Sequence, residues 1–239
     1  MLAFDIETYA AWDSLSPALR DYLEGRDQAR GIAPDHRRAA AQTASLLPGV
    51  AQVIAVGLWG GEANSERLSL SLDPTLETPH VDKKGDLDEG WVRHCFRAEA
   101  DLLRAFWALV GEATAAGRRL VSFNGRAFDG PMLSLRSAVL GIPPSVALVG
   151  PRQNMIPHTD LVELLSFSGA RRDRYTFAYW CEVFGVASPK QELNGAAVGG
   201  AFERGEHETI ARYALEDARA TGELYQRLQP TLVPLVGSE

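Results

Sequence analysis

The chain has 239 residues, of which 46% are hydrophobic and 23% are charged, as is ordinary for a soluble globular protein. This length suits one sizeable α/β domain with insertions, and we treat residues 1–239 as a single domain. The formal net charge of −7 argues against a protein that coats nucleic acid through bulk positive charge. It is compatible with a nucleic-acid enzyme whose acidic residues gather at a metal site.

Neither the cysteines nor the apolar segments point to secretion or to a membrane. Cys95 and Cys181 are far apart and have no metal-ligand spacing, so we expect reduced thiols in a cytoplasmic protein. No run of about 18 apolar residues predicts a membrane span. The N-terminus lacks the basic and apolar segments of a signal peptide.

The first predicted element is a strand at residues 2–8, in which apolar and polar side chains alternate. Asp5 and Glu7 are two residues apart and therefore project from the same face. Two adjacent carboxylates raise the free energy unless a cation or a proton lies between them. The pair predicts a divalent metal site, because hard cations take oxygen ligands. A strand end with both acids in water would also explain it.

A long insertion follows at about residues 9–49, where Ser16-Pro17 predicts the start of a short helix. Arginines in this insertion suit either a flap that holds a phosphate backbone or a solvated loop. Residues 50–59 predict a buried strand and residues 67–72 a half-exposed one. A second insertion at about 73–90 is polar and contains proline and glycine, so a surface loop is expected there.

The middle of the chain alternates helix and strand. A short strand is expected at 91–96, a helix at 99–115 and a strand at 120–123, before helical spacing resumes at Met132. Asp129 lies where the N-cap of this next helix belongs. It also follows a buried strand, at the edge where open α/β sheets place their sites.

An arginine cluster precedes a short apolar helix at about residues 177–184, which Gly185 ends. Arg171, Arg172 and Arg174 suit contacts with phosphates or an exposed turn between helices equally well. Upstream of them, His158 and Asp160 are interpreted as a turn followed by an N-cap, and neither is placed in a metal site.

The last helix is predicted at about residues 208–228, and its apolar stripe contains one carboxylate, Asp217. Tyr213 lies one helical turn earlier, beside the same stripe. A buried and unpaired carboxylate costs several kcal/mol, so Asp217 needs a partner. That partner is either a salt bridge or a metal shared with Asp5.

Three motifs in this order resemble the DEDD superfamily of DnaQ-like 3′–5′ exonucleases, in the tyrosine (DEDDy) subclass. They are Asp5-Ile-Glu7, the segment from Asn124 to Phe128-Asp129, and Tyr213-Ala-Leu-Glu-Asp217. Arg212 stands where the histidine subclass would need its His. The stretch before the last helix, including Phe184-Gly185 and Gly195, is similar to stand-alone exonucleases that resemble those of B-family polymerases.

The resemblance implies an RNase H-like α/β fold, with a mixed five-stranded sheet flanked by helices and three antiparallel strands first. It also implies two Mg²⁺ or Mn²⁺ ions held by Asp5, Glu7, Asp129 and Asp217, with Asp5 bridging them. The Tyr213 hydroxyl would orient the attacking water. The substrate-binding residues it suggests are Ile6, Asn124 and Phe128, although Asn124 could instead only shape its turn.

The implied activity is metal-dependent 3′–5′ hydrolysis of single-stranded DNA ends, which releases nucleoside 5′-monophosphates and would serve DNA repair. Two alternatives stay open: a 3′–5′ exoribonuclease with the same site, and an inactive module that only binds nucleic acid. Contacts to the 2′-hydroxyl, which would separate DNA from RNA, cannot be read from the sequence.

Overall fold

The computed structural model describes residues 1–29, 31, 43–60, 66–84, 90–151, 154–187, 193 and 195–236. Much of the first predicted insertion, including Arg30, Arg37 and Arg38, lies outside the described residues, and so does the flap hypothesis that rests on it. The predicted helix after Ser16 is present, and a short 3₁₀ turn at Trp12–Ser14 precedes it.

A single mixed sheet forms the centre of the fold. Its strands in chain order are β1 (Leu2–Tyr9), β2 (Gln52–Trp59), β3 (Arg67–Leu72), β4 (His80–Lys84), β5 (Trp91–Phe96), β6 (Leu120–Ser122) and β7 (His158–Asp160).

The strand order is β4-β5-β3-β2-β1-β6-β7, with β1 near the middle. The pairs β1–β2 and β2–β3 are antiparallel, as expected for the first three strands. On the other side of β1, β6 pairs parallel to it and β7 pairs parallel to β6. The parallel strands β6 and β7 therefore end at the edge of the sheet toward which β1 also runs.

The expected five-stranded sheet is wrong in number, because the sheet has seven strands. Residues 73–90 are not only a surface loop: β4 lies within them and pairs antiparallel with β5, which pairs in turn with the edge of β3. Because the side chains of β4 are mostly polar, the hydrophobic pattern did not predict this edge strand. The other unpredicted strand, β7, has only three residues, too few to show a period.

The helices cover both faces of the sheet. They are α1 (Pro17–Ala29), α2 (Glu99–Ala115), α3 (Asp129–Val139), α4 (Leu161–Leu165), α5 (Phe177–Phe184), α6 (Gly195–Glu203), α7 (His207–Leu228) and α8 (Val233–Val236). Among the described residues, none of them has the length and the apolar content that crossing a membrane requires.

The alternation in β1 separates two packed layers. Phe4 projects toward α2, where its ring contacts Phe106 with a centroid distance of 5.7 Å. On the opposite face, Ala3 lies in one buried cluster with Leu224 of α7. Asp5 and Glu7 project from this second face, so they lie on the side of the sheet that α7 covers.

Gly57 lets α7 approach the sheet closely. It pairs with Asp5 across the β1–β2 ladder, and a Cβ atom at this position would overlap the backbone carbonyl of Ala214. The absence of a side chain at Gly57 therefore brings the middle of α7 directly over the strand pair that carries Asp5.

We predict that Gly57→Ala lowers the free energy of unfolding by about 1–3 kcal/mol, because the added methyl group overpacks the contact with α7. Chemical denaturation followed by circular dichroism measures this change. The matched control is Gly25→Ala within α1, where a Cβ atom meets nothing within 4 Å. This control should be neutral or slightly stabilising. Equal effects of the two substitutions would contradict the close approach at Gly57.

Candidate active site

Asp5, Glu7 and Asp217 form a compact group of carboxylates where α7 crosses β1. One carboxylate oxygen from each residue lies within 4.8 Å of the others. The two-residue period of β1 brings Asp5 and Glu7 to one face, and the apolar stripe of α7 turns Asp217 toward the sheet. Asp217 therefore lies beside Asp5, as a metal shared with Asp5 would require. The metal itself stays a prediction.

Asp129 joins the group from the end of β6. The pairing of β1 with β6 covers only Leu2 and Ala3, after which the two strands separate. The carboxylate of Asp129 is close enough to Asp5 for its charge to raise the pKa of Asp5. The backbone N–H groups of Ile6 and of Asp129 itself are near this carboxylate and favour its charged form. Asp129 thus lies beside the strand that carries Asp5 and Glu7.

The N-cap interpretation of Asp129 is corrected by the structure. Helix α3 begins at Asp129, and Phe128 is its N-cap residue, without a side-chain cap. Asp129 is only 4% exposed, so its carboxylate faces the interior instead of the solvent around the helix end.

Mutual repulsion and burial dominate the electrostatics of the four acids. Burial raises the pKa of Asp5 well above its usual range, and the charges of Asp129, Asp217 and Glu7 raise it further. The pKa of Glu7 is raised in the same way, first by burial and then by Asp217 and Asp129. The four charges therefore need a counter-charge if they are to be ionised together.

Asp129 and Asp217 are shifted less strongly. Burial raises the pKa of Asp129 to about 7, although its two backbone hydrogen bonds act in the opposite direction. Burial also raises the pKa of Asp217 to about 6, and a hydrogen bond from the Tyr213 hydroxyl partly offsets this. Each of these contacts favours the charged form of its carboxylate and so partly offsets the effect of burial.

The donor set fits a hard divalent cation. All four side chains offer carboxylate oxygens, which are the ligands that Mg²⁺ and Mn²⁺ prefer. A cation placed among them would also supply the missing counter-charge. Asp5, Glu7, Asp129 and Asp217 are thus the residues that would hold such an ion.

A second group of possible ligands lies on β4 and β5 and is formed by His80, Asp82 and Cys95. In this group the Arg93 guanidinium already lies 2.9 Å from Asp82 and provides its counter-charge. The acidic group around Asp5 has a much stronger electrostatic need for a cation.

Tyr213 lies beside the acids, one turn before Asp217 on α7. Burial and the neighbouring charges of Asp217, Glu7 and Asp5 raise the pKa of its hydroxyl. The hydroxyl is therefore protonated at neutral pH and acts as a hydrogen-bond donor. The raised pKa argues against a strong base, and the expected role of Tyr213 in orienting the attacking water stays a prediction.

The loop from Asn124 to Phe128 is fixed by a residue that the sequence did not place at the site, Asp160. Its carboxylate accepts hydrogen bonds from the backbone N–H groups of Asn124 (2.9 Å) and Arg126 (2.9 Å). It also caps α4 by accepting from Val162 N–H (2.8 Å). The N-cap expectation for Asp160 is confirmed, but the same carboxylate also clamps the loop that leads to Asp129.

Asn124 occupies the left-handed region, with φ of 64°, which asparagine tolerates better than most residues. The structure thus shows Asn124 shaping the turn, and its contact with a substrate stays a prediction. His158 lies in β7, not in a turn. Its Nδ1 bonds the Leu148 carbonyl and its Nε2 the Ser122 hydroxyl, each at 2.7 Å.

A pocket of about 560 Å³ opens beside Glu7. Two of the predicted substrate-binding residues, Ile6 and Phe128, line it, together with small residues of α6 that include Gly199 and Gly200. Helix α6 was not predicted from the sequence, because its run of glycine and alanine has little helical amphipathicity. The carboxylate group therefore borders a cavity lined by apolar side chains and small residues, with Glu203 and Arg204 also in its wall.

We predict that Asp160→Asn lowers the free energy of unfolding by about 1–3 kcal/mol, because an amide group offers one acceptor oxygen where three N–H donors need two. Urea denaturation measures the change. Asp101→Asn is the control, since Asp101 is exposed and forms only an exposed ion pair with Arg104 at 2.8 Å. If both substitutions have the same small effect, the clamp does not contribute to stability.

Comparison with known proteins agrees with this site. A family described as predicted 3′–5′ exonucleases related to the exonuclease domain of PolB matches residues 83–233. The match contains Asp129, Tyr213 and Asp217, whereas Asp5 and Glu7 precede it.

The fold is also similar to a solved structure, that of the family B DNA polymerase from the hyperthermophilic archaeon Pyrobaculum calidifontis. The similarity has a TM-score of 0.61 at 19% sequence identity and covers 98% of this chain. The chain spans only 25% of the length of that polymerase chain. Because the family model matches more than half of the chain, the chain belongs to the 3′–5′ exonucleases related to the exonuclease domain of PolB.

Proposed function

We propose that the chain removes nucleotides from the 3′ ends of single-stranded nucleic acid, as a DEDDy exonuclease with an RNase H-like fold. The observation that carries this proposal is the cluster of Asp5, Glu7 and Asp217 within 4.8 Å, with Asp129 beside it. Four carboxylates whose pKa values are raised by burial and neighbouring acids are costly in a protein that does not use them.

These four acids would hold two divalent cations, Mg²⁺ or Mn²⁺. When bound, such a pair supplies a nucleophilic water at neutral pH and stabilises charge on the attacked phosphate. The protein's own contribution is to prepare the ligands before the substrate arrives. The N–H group of Ile6 favours the charged form of Asp129, and the hydroxyl of Tyr213 favours that of Asp217.

Tyr213 would orient the water for attack. Its hydroxyl keeps its proton at neutral pH, because burial and the acids around it raise its pKa. Its hydroxyl is near Asp217, and this position beside the carboxylate group supports the proposed role. Release of a nucleoside 5′-monophosphate follows if this water attacks the last phosphodiester bond.

The pocket beside Glu7 would receive the terminal nucleotide. Ile6 and Phe128 provide apolar contacts for its base and sugar, and the small residues of α6 leave room for them. We favour DNA over RNA as the substrate, with a role in DNA repair in the cytoplasm. The support for this preference is the family's relation to a DNA polymerase exonuclease domain.

The direct test is incubation of the protein with 5′-labelled single strands of DNA and of RNA in Mn²⁺ or Mg²⁺. We expect a ladder that shortens from the 3′ end, and we expect a blocked 3′ end to prevent it. Asp5→Asn should abolish the ladder while the circular dichroism spectrum is retained, because one charged ligand is lost. Release of labelled mononucleotide before any ladder would indicate the opposite polarity and refute the proposal.

Substitutions of Tyr213 and of Asp217 should have different effects on the hydrolysis rate and on metal affinity. We expect Tyr213→Phe to slow single-turnover hydrolysis by about 10²–10⁴-fold, because the orienting hydroxyl is lost while the ring still packs. Its Mn²⁺ affinity, measured by calorimetry, should stay near the wild-type value. Asp217→Asn should weaken Mn²⁺ affinity directly, because it removes a charged ligand. A wild-type rate for Tyr213→Phe would reduce Tyr213 to a packing residue.

The alternative of an inactive binding module is tested by thermal unfolding with and without Mn²⁺. A bound cation at 100-fold its Kd would stabilise the fold by about 2.7 kcal/mol. An unchanged melting temperature together with the absence of hydrolysis would favour the inactive module.

A further inference from the structure

The outer face of α5 carries an exposed stack of aromatic rings. The rings of Tyr175 and Tyr179 are stacked, with centroids 4.3 Å apart and planes inclined by 19°. The Arg171 guanidinium lies over the Tyr175 ring, 5.0 Å from its centroid, and donates a hydrogen bond to the Tyr175 hydroxyl at 3.0 Å. Trp180 meets both tyrosines edge-on and supports them from beside the helix.

This stack is unusual as a piece of protein surface. Tyr179 is 44% exposed and Val183, one turn later, is 53% exposed, so apolar surface faces solvent along one side of α5. The side chains of Arg171, Arg172 and Arg174 are also exposed just before the helix. They outnumber the acids that share this surface, Asp173 and Glu182, although the whole chain carries a net charge of −7.

The inner face of the same helix packs toward the candidate active site. Phe177 contacts Phe123 with a centroid distance of 4.8 Å, and Phe123 directly precedes the loop that begins at Asn124. Cys181 is buried against α7. Burial raises the pKa of Cys181 to about 11, and the charge of Asp217 adds to this shift, so α5 lies within electrostatic reach of the acids.

We propose that the surface formed by Arg171, Arg172, Arg174, Tyr175 and Tyr179, here called the tyrosine platform, binds the single strand upstream of its 3′-terminal nucleotides. This inference rests on the proposed function, because it assumes that a 3′ end occupies the acidic group. One helix diameter, about 10 Å, separates the two faces of α5, so the platform is placed for nucleotides that the terminal pocket does not reach.

The chemistry of the platform suits this occupant. Every base has a π face, so stacking on Tyr179 or in the place of Arg171 on Tyr175 does not require a particular sequence. The three arginines can pair with phosphates, which would hold an anionic strand on an otherwise acidic protein. Tyr175 precedes the N-cap residue Thr176, and its contact with Trp180 has the positions of a hydrophobic staple, which stabilises the start of α5. That role alone requires neither the exposure nor the arginines.

Binding is best measured by fluorescence anisotropy without divalent cations, on the Asp5→Asn protein, so that no strand is degraded. The probes are 5′-labelled oligothymidine and oligouridine of about 16 and about 4 nucleotides, the range of known site sizes for single-strand grooves. Tyr179→Ala should weaken binding of the longer strand on the order of tenfold, and that of the shorter strand less. Tyr179→Phe keeps the ring and should keep the affinity.

The arginines should appear in the salt dependence of binding. Combining Arg171→Ala, Arg172→Ala and Arg174→Ala should reduce the slope of log K against log salt by about 2, since each phosphate contact on a single strand contributes about 0.7. Arg104→Ala is the matched control, because Arg104 is an exposed arginine on α2, across the sheet from α7. It should leave both affinity and slope unchanged.

Several outcomes would overturn the proposal while leaving the exonuclease assignment intact. Unchanged affinity and salt slope in all platform variants would do so. An equal loss for Tyr179→Phe and Tyr179→Ala would show that stacking is not involved.

Equal losses for DNA and RNA probes support the proposal, because stacking and phosphate contacts do not read the 2′-hydroxyl. Failure of the exonuclease proposal itself would appear separately, as absence of hydrolysis by the wild-type protein.

Discussion

The repulsion among four carboxylates is the constraint on which the rest of the structure depends. Burial and proximity raise the pKa of Asp5, Glu7, Asp129 and Asp217, so the fold opposes their joint ionisation unless a cation intervenes. The packing of the surrounding core holds the four acids together against this repulsion. Close contact of α7 with Gly57 and the apolar ladder of β1 and β2 provide that packing. The site is therefore prepared for cations by the free energy of the surrounding core.

The site also depends on groups outside the carboxylates. The Ile6 N–H group favours the charged form of Asp129, and the Tyr213 hydroxyl favours that of Asp217. One step further out, Asp160 holds the loop that leads into α3 through two backbone hydrogen bonds. These contacts are in place before any ligand arrives, which lowers the reorganisation needed when substrate binds.

The short-period patterns of the sequence predicted much of the geometry of the candidate site. The alternation in β1 predicted the Asp5–Glu7 pair, and the helical stripe predicted that Asp217 faces inward, both of which the structure shows. The structure differs where the sequence signal is weak or where tertiary contacts decide. Asp129 looked like a cap, because its bond to Ile6 joins residues far apart in the chain. Strand β4 has no apolar period, since it is an edge strand of polar residues. The second role of Asp160 depends on two N–H groups more than 30 residues away.

The two-residue period of β1 has a consequence for how this chain can change. The side chains that build the core and those that would bind cations occupy alternate positions of one strand, with Phe4 and Ile6 on one face and Asp5 and Glu7 on the other. An insertion or deletion of one residue within this strand would exchange the two sets, sending phenylalanine toward the acids of α7 and carboxylates into the core. One such insertion or deletion would remove both activity and folding, so β1 can vary by substitution but not by length.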